Sequence, residues 1–187
     1  MPRVTQESTA RCERRRKMRK LIGLMMVVIG SLAIVGMADA AGTFVAALSG
    51  ANEVPPVDTA TFGRARIVFN ADDTAAEFQL QVRQGERITQ GHIHCAPVGV
   101  NGPIVAFLAG LNSQGYNVDG IFPWISGATL TDTSIIPRTA GTGSDQCPIA
   151  ITNLRDLITL IRGGNAYVNV HSVANPAGVI RGQLVER

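Results

Sequence analysis

Arg64-Ala65-Arg66-Ile67-Val68-Phe69-Asn70-Ala71-Asp72-Asp73-Thr74-Ala75-Ala76-Glu77-Phe78-Gln79-Leu80-Gln81-Val82-Arg83 is the stretch on which the fold turns. Ala65, Ile67 and Phe69 alternate with Arg64, Arg66 and Val68, and Phe78, Leu80 and Val82 recur at every second position. A period of two predicts strands with one apolar face. Ala71-Asp72-Asp73-Thr74 between them reads as a turn, so the two segments form a hairpin. The same reading predicts strands at Thr43–Ser49, Ile88–His94, Ile104–Leu108, Ala166–Ser172 and Val179–Val185. Gly and Pro lie mostly between these segments. The expected fold is all-β, an antiparallel sandwich or barrel of Greek-key-like kind. Residues 112–145 are less regular, with strands expected around Ile121–Ile125 and Ala128–Leu130. One short helix is expected near 153–162. Thr152 stands at its cap, Leu154, Leu157, Ile158 and Ile161 share a face, and Gly163-Gly164 end it.

The chain has 187 residues, a length suited to one domain, and its 45% hydrophobic and 17% charged content excludes a disordered polar chain. Its formal charge of +3 is unevenly placed. Residues 1–40 hold eight Lys and Arg against three acids, and the rest holds nine Arg, no Lys and eleven acids, a net of 9 − 11 = −2. A nucleic-acid binder carries its basic surface on the folded domain. This composition excludes that class. Arg14–Lys20 form a basic segment, Leu21–Val35 follow without a charge, and Ala38-Asp39-Ala40 is a signal-peptidase pattern. Residues 1–40 are therefore expected to be a signal peptide, cleaved after Ala40, with residues 41–187 as one exported domain. The alternative is an uncleaved anchor, the one route by which the chain would meet a membrane.

Export puts the domain in the periplasm or outside the cell. Cys12 lies in the signal, leaving Cys95 and Cys147 as an even pair. In an oxidising compartment such a pair reads as a disulfide, although Cys95 beside His94 is also a possible thiolate ligand.

Five motifs then run in order: Leu48-Ser49-Gly50-Ala51-Asn52-Glu53-Val54-Pro55-Pro56, Gly91-His92-Ile93-His94, Gly99-Val100-Asn101-Gly102-Pro103-Ile104-Val105, Gly164-Asn165-Ala166-Tyr167-Val168-Asn169-Val170-His171-Ser172, and Pro176-Ala177-Gly178-Val179-Ile180-Arg181-Gly182-Gln183-Leu184. Over about residues 43 to 185 this resembles the CHRD domain family, named for the repeated domain of chordin and found singly in many secreted bacterial proteins. The resemblance implies an extracytoplasmic, mostly β domain. In chordin such domains belong to a protein that binds growth factors of the bone morphogenetic type, so the implied role is a binding module with a protein or envelope ligand. The long segment between Leu108 and Thr152 departs from the family pattern.

All three histidines lie within these motifs. His92 and His94 are two apart on a predicted strand and share a face. Val168 and Val170 share one face of their strand, which leaves His171 with Tyr167 and Asn169 on the other. If the strands adjoin, three imidazoles converge, a set that suits copper or zinc. Such a site would weaken below about pH 6 as imidazoles protonate. The structural alternative has the histidines hydrogen-bonding to backbone and carboxylates, holding the Cys95–Pro103 loop. Glu53 is a candidate carboxylate ligand, or a partner of His92 or Arg181, or a cap on backbone amides of a nearby turn. Arg181 is expected to pair with a carboxylate as a clamp. Asn101-Gly102 is a turn signal. No nucleophile elbow, HExxH or nucleotide loop occurs, so nothing in the sequence points to catalysis. Three functions from different classes follow: a binding module, a copper or zinc metalloprotein, and a structural component of the envelope.

Overall fold

The computed structural model describes residues 42–118 and 124–187. The signal-peptide expectation lies outside the described residues, as does most of the strand expected at Ile121–Ile125. Ten strands make one sheet: β1 (Gly42–Ser49), β2 (Phe62–Phe69), β3 (Ala76–Arg83), β4 (Gly85–Cys95), β5 (Ile104–Ala109), β6 (Tyr116–Val118), β7 (Trp124–Leu130), β8 (Ala166–Ser172), β9 (Ile180–Gln183) and β10 (Val185–Glu186). Their order is β5-β4-β8-β9-β1-β2-β3-β7, with β6 beside β4 and β10 beside β1. Every pairing between these strands is antiparallel.

The sheet rolls into a nearly closed barrel. Its two ends meet where the Ser126 hydroxyl donates to the Leu108 carbonyl at 2.7 Å. Among the described residues no helix is long and apolar enough to cross a membrane.

The deciding hairpin forms as its alternation requires. Ala65 pairs with Leu80 and Ile67 with Phe78, so the apolar positions share one face across the two strands. That face is buried together with Phe44, Leu48 and Phe69. Phe44 meets Phe69 edge-on at 5.6 Å, the geometry that aromatic quadrupoles prefer. The turn is held by Asn70, whose Oδ1 accepts from the amides of Thr74 and Ala75 at 2.9 and 3.0 Å.

β4 is long enough to need a correction in phase. Ile88 and Ile93 both lie in the core, although five residues apart they would face opposite sides of a regular strand. The pairing with β8 shifts between Ile88 and Gln90, a bulge that absorbs one residue and re-aims the rest of the strand. Beyond it Ile93 and Cys95 point inward, and His92 and His94 point to the other face.

The helix α1 (Leu154–Arg162) buries Leu154, Leu157, Ile158, Leu160 and Ile161 in the same core. Its apolar stripe is packing. The cap is Asn153 rather than Thr152: Asn153 Oδ1 accepts from the Asp156 amide at 3.0 Å. Thr152 instead donates its amide and hydroxyl to Asp156 Oδ2. Both residue types can cap, and the position one residue closer to the helix wins.

Residues 112–145 contribute β6 and β7, and the strand expected at Ala128–Leu130 is the end of β7. Cys95 and Cys147 are joined in a disulfide with Cα atoms 5.5 Å apart, well inside bridging distance. Both cysteines are buried.

Candidate functional site

Adjacent strands β4, β8 and β9 share a polar face. In register, His92 lies opposite Asn169 and His94 opposite Tyr167, while Asn169 lies opposite Arg181 and Tyr167 opposite Gln183. Gln90 pairs with His171, which places His171 diagonally across from His92. Residues two apart stay on one side of a strand, so the imidazoles of 92, 94 and 171 gather on this face. The ring of His92 is 4.8 Å from that of His171 and 5.5 Å from that of His94; His94 and His171 are 6.1 Å apart. All three are buried, at 1%, 8% and 6% exposure.

Backbone carbonyls fix two of the rings. His94 Nδ1 donates to the Gly102 carbonyl at 2.8 Å, and His171 Nδ1 donates to the Pro176 carbonyl at 2.9 Å. A carbonyl only accepts, so both rings carry their proton on Nδ1 and leave Nε2 as a lone pair. His171 Nε2 faces His92 Nδ1 at 3.0 Å. The Nε2 atoms of His92 and His94 are buried with no hydrogen-bond partner. Burial holds all three imidazoles neutral, with the pKa of His92 lowered to about 3, that of His94 to about 4, and that of His171 also lowered. One nitrogen from each ring lies within 4.8 Å of the others.

Loops roof this face. The 96–103 loop is clamped by Arg181, which is 2% exposed. Its Nη1 donates to Asn101 Oδ1 at 3.0 Å and its Nη2 to the carbonyls of Val100 and Pro97 at 2.7 and 3.4 Å. Arg181 is thus a clamp, but on neutral acceptors: no carboxylate stands within ion-pair distance of it among the described residues. A loop turned so that its carbonyls point inward supplies the acceptors that a guanidinium fork needs. Asn101 also donates to the Val54 carbonyl at 2.8 Å, tying this loop to the segment that carries Glu53. Gly102 is obligatory, because a Cβ there would strike the Cys95 carbonyl.

Arg181 lies over the ring of Tyr167 at 3.4 Å, and Tyr167 stacks on His94 at 4.9 Å, nearly parallel. Phe107 meets His92 edge-on at 4.6 Å. Sequence reasoning left Tyr167, Asn169 and Phe107 out of the site. The first two were legible, since the alternation that places His171 on this face places them there as well. Phe107 was not, because its arrival depends on the pairing of β4 with β5.

Glu53 is buried but ligates none of the imidazoles. Its Oε1 accepts from Asn169 Nδ2 at 2.6 Å, so the expected cap on backbone amides is replaced by a side-chain pair. Gly178, at φ 144°, leaves room for that pair; a Cβ there would lie 2.7 Å from both Glu53 Oε1 and Asn169 Nδ2. Burial raises the Glu53 pKa to about 7, against the lowering influence of Asn169 and Arg181. With the folded value above the unfolded one, this carboxyl contributes stability below about pH 4.5 that is lost as pH rises through about 7. Glu53→Gln should remove that loss. The stability of the variant minus that of the wild type should increase from pH 5 to pH 8, a difference in which the histidine titrations cancel. Urea unfolding at the two pH values measures it, and an unchanged difference would contradict the assignment.

A family model for the CHRD domain matches residues 44–184. The chain belongs to the CHRD domain family. No curated protein and no solved structure matches it. The histidines, Glu53, Asn101 and Arg181 all fall inside the matched CHRD region, on the face just described. Among the described residues the nearly closed barrel carries one α-helix, in agreement with the mostly β domain that the resemblance implied.

Proposed function

We propose that this protein is an exported CHRD binding module whose ligand is a single copper or zinc ion held by His92, His94 and His171. One observation carries the reading: the Nε2 lone pair of His94 is buried without a partner, on a ring whose opposite nitrogen is pinned by the Gly102 carbonyl. Leaving that buried atom unpaired costs about 1–3 kcal/mol, and an ion would satisfy it. A histidine ligand that donates its other N–H to a carbonyl is the usual outer support of a metal site. Two ligands about 2 Å from a tetrahedral ion stand roughly 3.3 Å apart, close to the 3.0 Å between His92 Nδ1 and His171 Nε2. The proton between those nitrogens occupies the place an ion would take, and it can move to His92 Nε2. His94 Nε2 supplies the third position. Water completes the set, since Glu53 is engaged by Asn169.

Protein purified without a tag should bind one copper or zinc ion per chain in calorimetric titration. His94→Ala should abolish saturable binding while the far-ultraviolet spectrum is kept. Because His92 and His94 are neutral down to about pH 3 and 4, the ion should be retained below pH 6 and released only as pH nears about 4. The higher release expected for ordinary imidazoles does not apply, because burial has already driven their protons off. Metal-free preparations that fail to saturate with either ion would defeat the proposal.

The disulfide supports an oxidising compartment. With the basic segment and Ala38-Asp39-Ala40, it supports export with cleavage after Ala40. N-terminal sequencing of the exported protein should begin at Ala41; a membrane-retained species that keeps Leu21–Val35 would favour the anchor.

A further inference from the structure

We infer that the His92–His94–His171 cluster takes copper as the monovalent ion in preference to zinc, an inference that rests on the metal-binding reading above. Ligand type does not separate the two metals, since imidazole suits both. Charge does. An imidazole binds a metal through a nitrogen lone pair and carries no charge, so the three histidine ligands bring none to the ion. Glu53, the only buried acid among the described residues, turns its Oε1 to Asn169 and away from the rings' service. Both cysteines are held in the disulfide, so no thiolate is available.

The charged groups that act on His94 are the guanidiniums of Arg181 and Arg138, both positive. Arg181 bears on the ring through the stacked Tyr167. A divalent ion would therefore keep its whole charge in a buried place that already faces cations. The solvation cost of a buried ion grows with the square of its charge, so it is about four times larger for the divalent ion. A monovalent d10 ion is also content with three ligands, whereas zinc calls for a fourth.

The test is a pair of competition titrations on the untagged exported protein with its disulfide intact. Copper(I) is delivered without oxygen against bicinchoninate, and zinc against a fluorescent zinc chelator. The Kd for copper(I) should be at least about 100-fold below that for zinc. His94→Ala and His171→Ala should each lose both ions with the fold retained. Phe107→Glu sets a carboxylate beside His92 at a half-exposed position that tolerates it. It should narrow the copper-to-zinc ratio by at least about tenfold. Zinc binding as tight as copper(I), or a ratio unmoved by Phe107→Glu, would overturn the inference and leave the metal-binding reading standing. Saturable binding of neither ion would overturn both.

Discussion

Cys147→Ser is expected to lower the unfolding free energy by about 2–5 kcal/mol, with a central value near 4 from the entropy of the loop it closes. The bond spans 52 positions, from the residue after His94 at the end of β4 to a segment between β7 and α1. Releasing it lets the unfolded chain expand and leaves a hydroxyl and a thiol in a place where both cysteines are buried. Cys147 also belongs to the one bridge that binds its segment to Ala140. Urea denaturation of the purified variant against the oxidised wild type measures the loss, and a double Cys95→Ala/Cys147→Ala variant separates the bond from the stray polar groups. An unchanged midpoint, or two free thiols titrated in natively exported protein, would count against the bond.

Arg181→Ala should cost about 3–5 kcal/mol, the range for removing a buried charged donor and stranding its acceptors. Three acceptors lose this donor at once, Asn101 Oδ1 and the carbonyls of Val100 and Pro97; only the Pro97 carbonyl keeps another, the Val100 amide. The Tyr167 ring loses its cation. The consequence reaches the imidazoles, because the clamped loop carries the Gly102 carbonyl that orients His94. Amide hydrogen exchange should therefore quicken across residues 96–103, and metal affinity should fall although no ligand has changed. Arg181→Lys keeps the charge without the fork and should lie between alanine and wild type. A variant as stable as wild type, with the loop still protected, would show that the contacts are incidental.

The sequence discloses what depends on local alternation. The β2–β3 hairpin follows from Ala65-Arg66-Ile67 and Phe78-Gln79-Leu80, since an apolar period of two has one economical solution when a face must be buried. The helix follows from the spacing of Leu154, Leu157, Ile158 and Ile161. The convergence of His92, His94 and His171 follows only conditionally, for it needs β4 and β8 to adjoin. Long-range pairing is not written in any window of the chain. The same limit explains the rest. Whether Arg181 meets a carboxylate or a set of carbonyls depends on how the 96–103 loop turns. The partner of Glu53 lies 116 positions away, at Asn169. The bulge that lets Ile88 and Ile93 share the core leaves no signature in residue type.

The bulge at Ile88–Gln90 also makes the imidazole trio a proofreading mark. A one-residue slip of β4 against β8 exchanges the two faces of the strand. It would turn His92 and His94 into the apolar interior and bring Ile93 out beneath the loops. Such a molecule could still be compact, yet it would present no three-nitrogen site and would carry Cys95 outward with Ile93, away from buried Cys147. The proposed metal retention would therefore report strand register together with a thiol assay, where a gross measure of secondary structure would not. In the proposed exported, metal-binding domain, the ion would certify correct assembly as well as serve as the ligand.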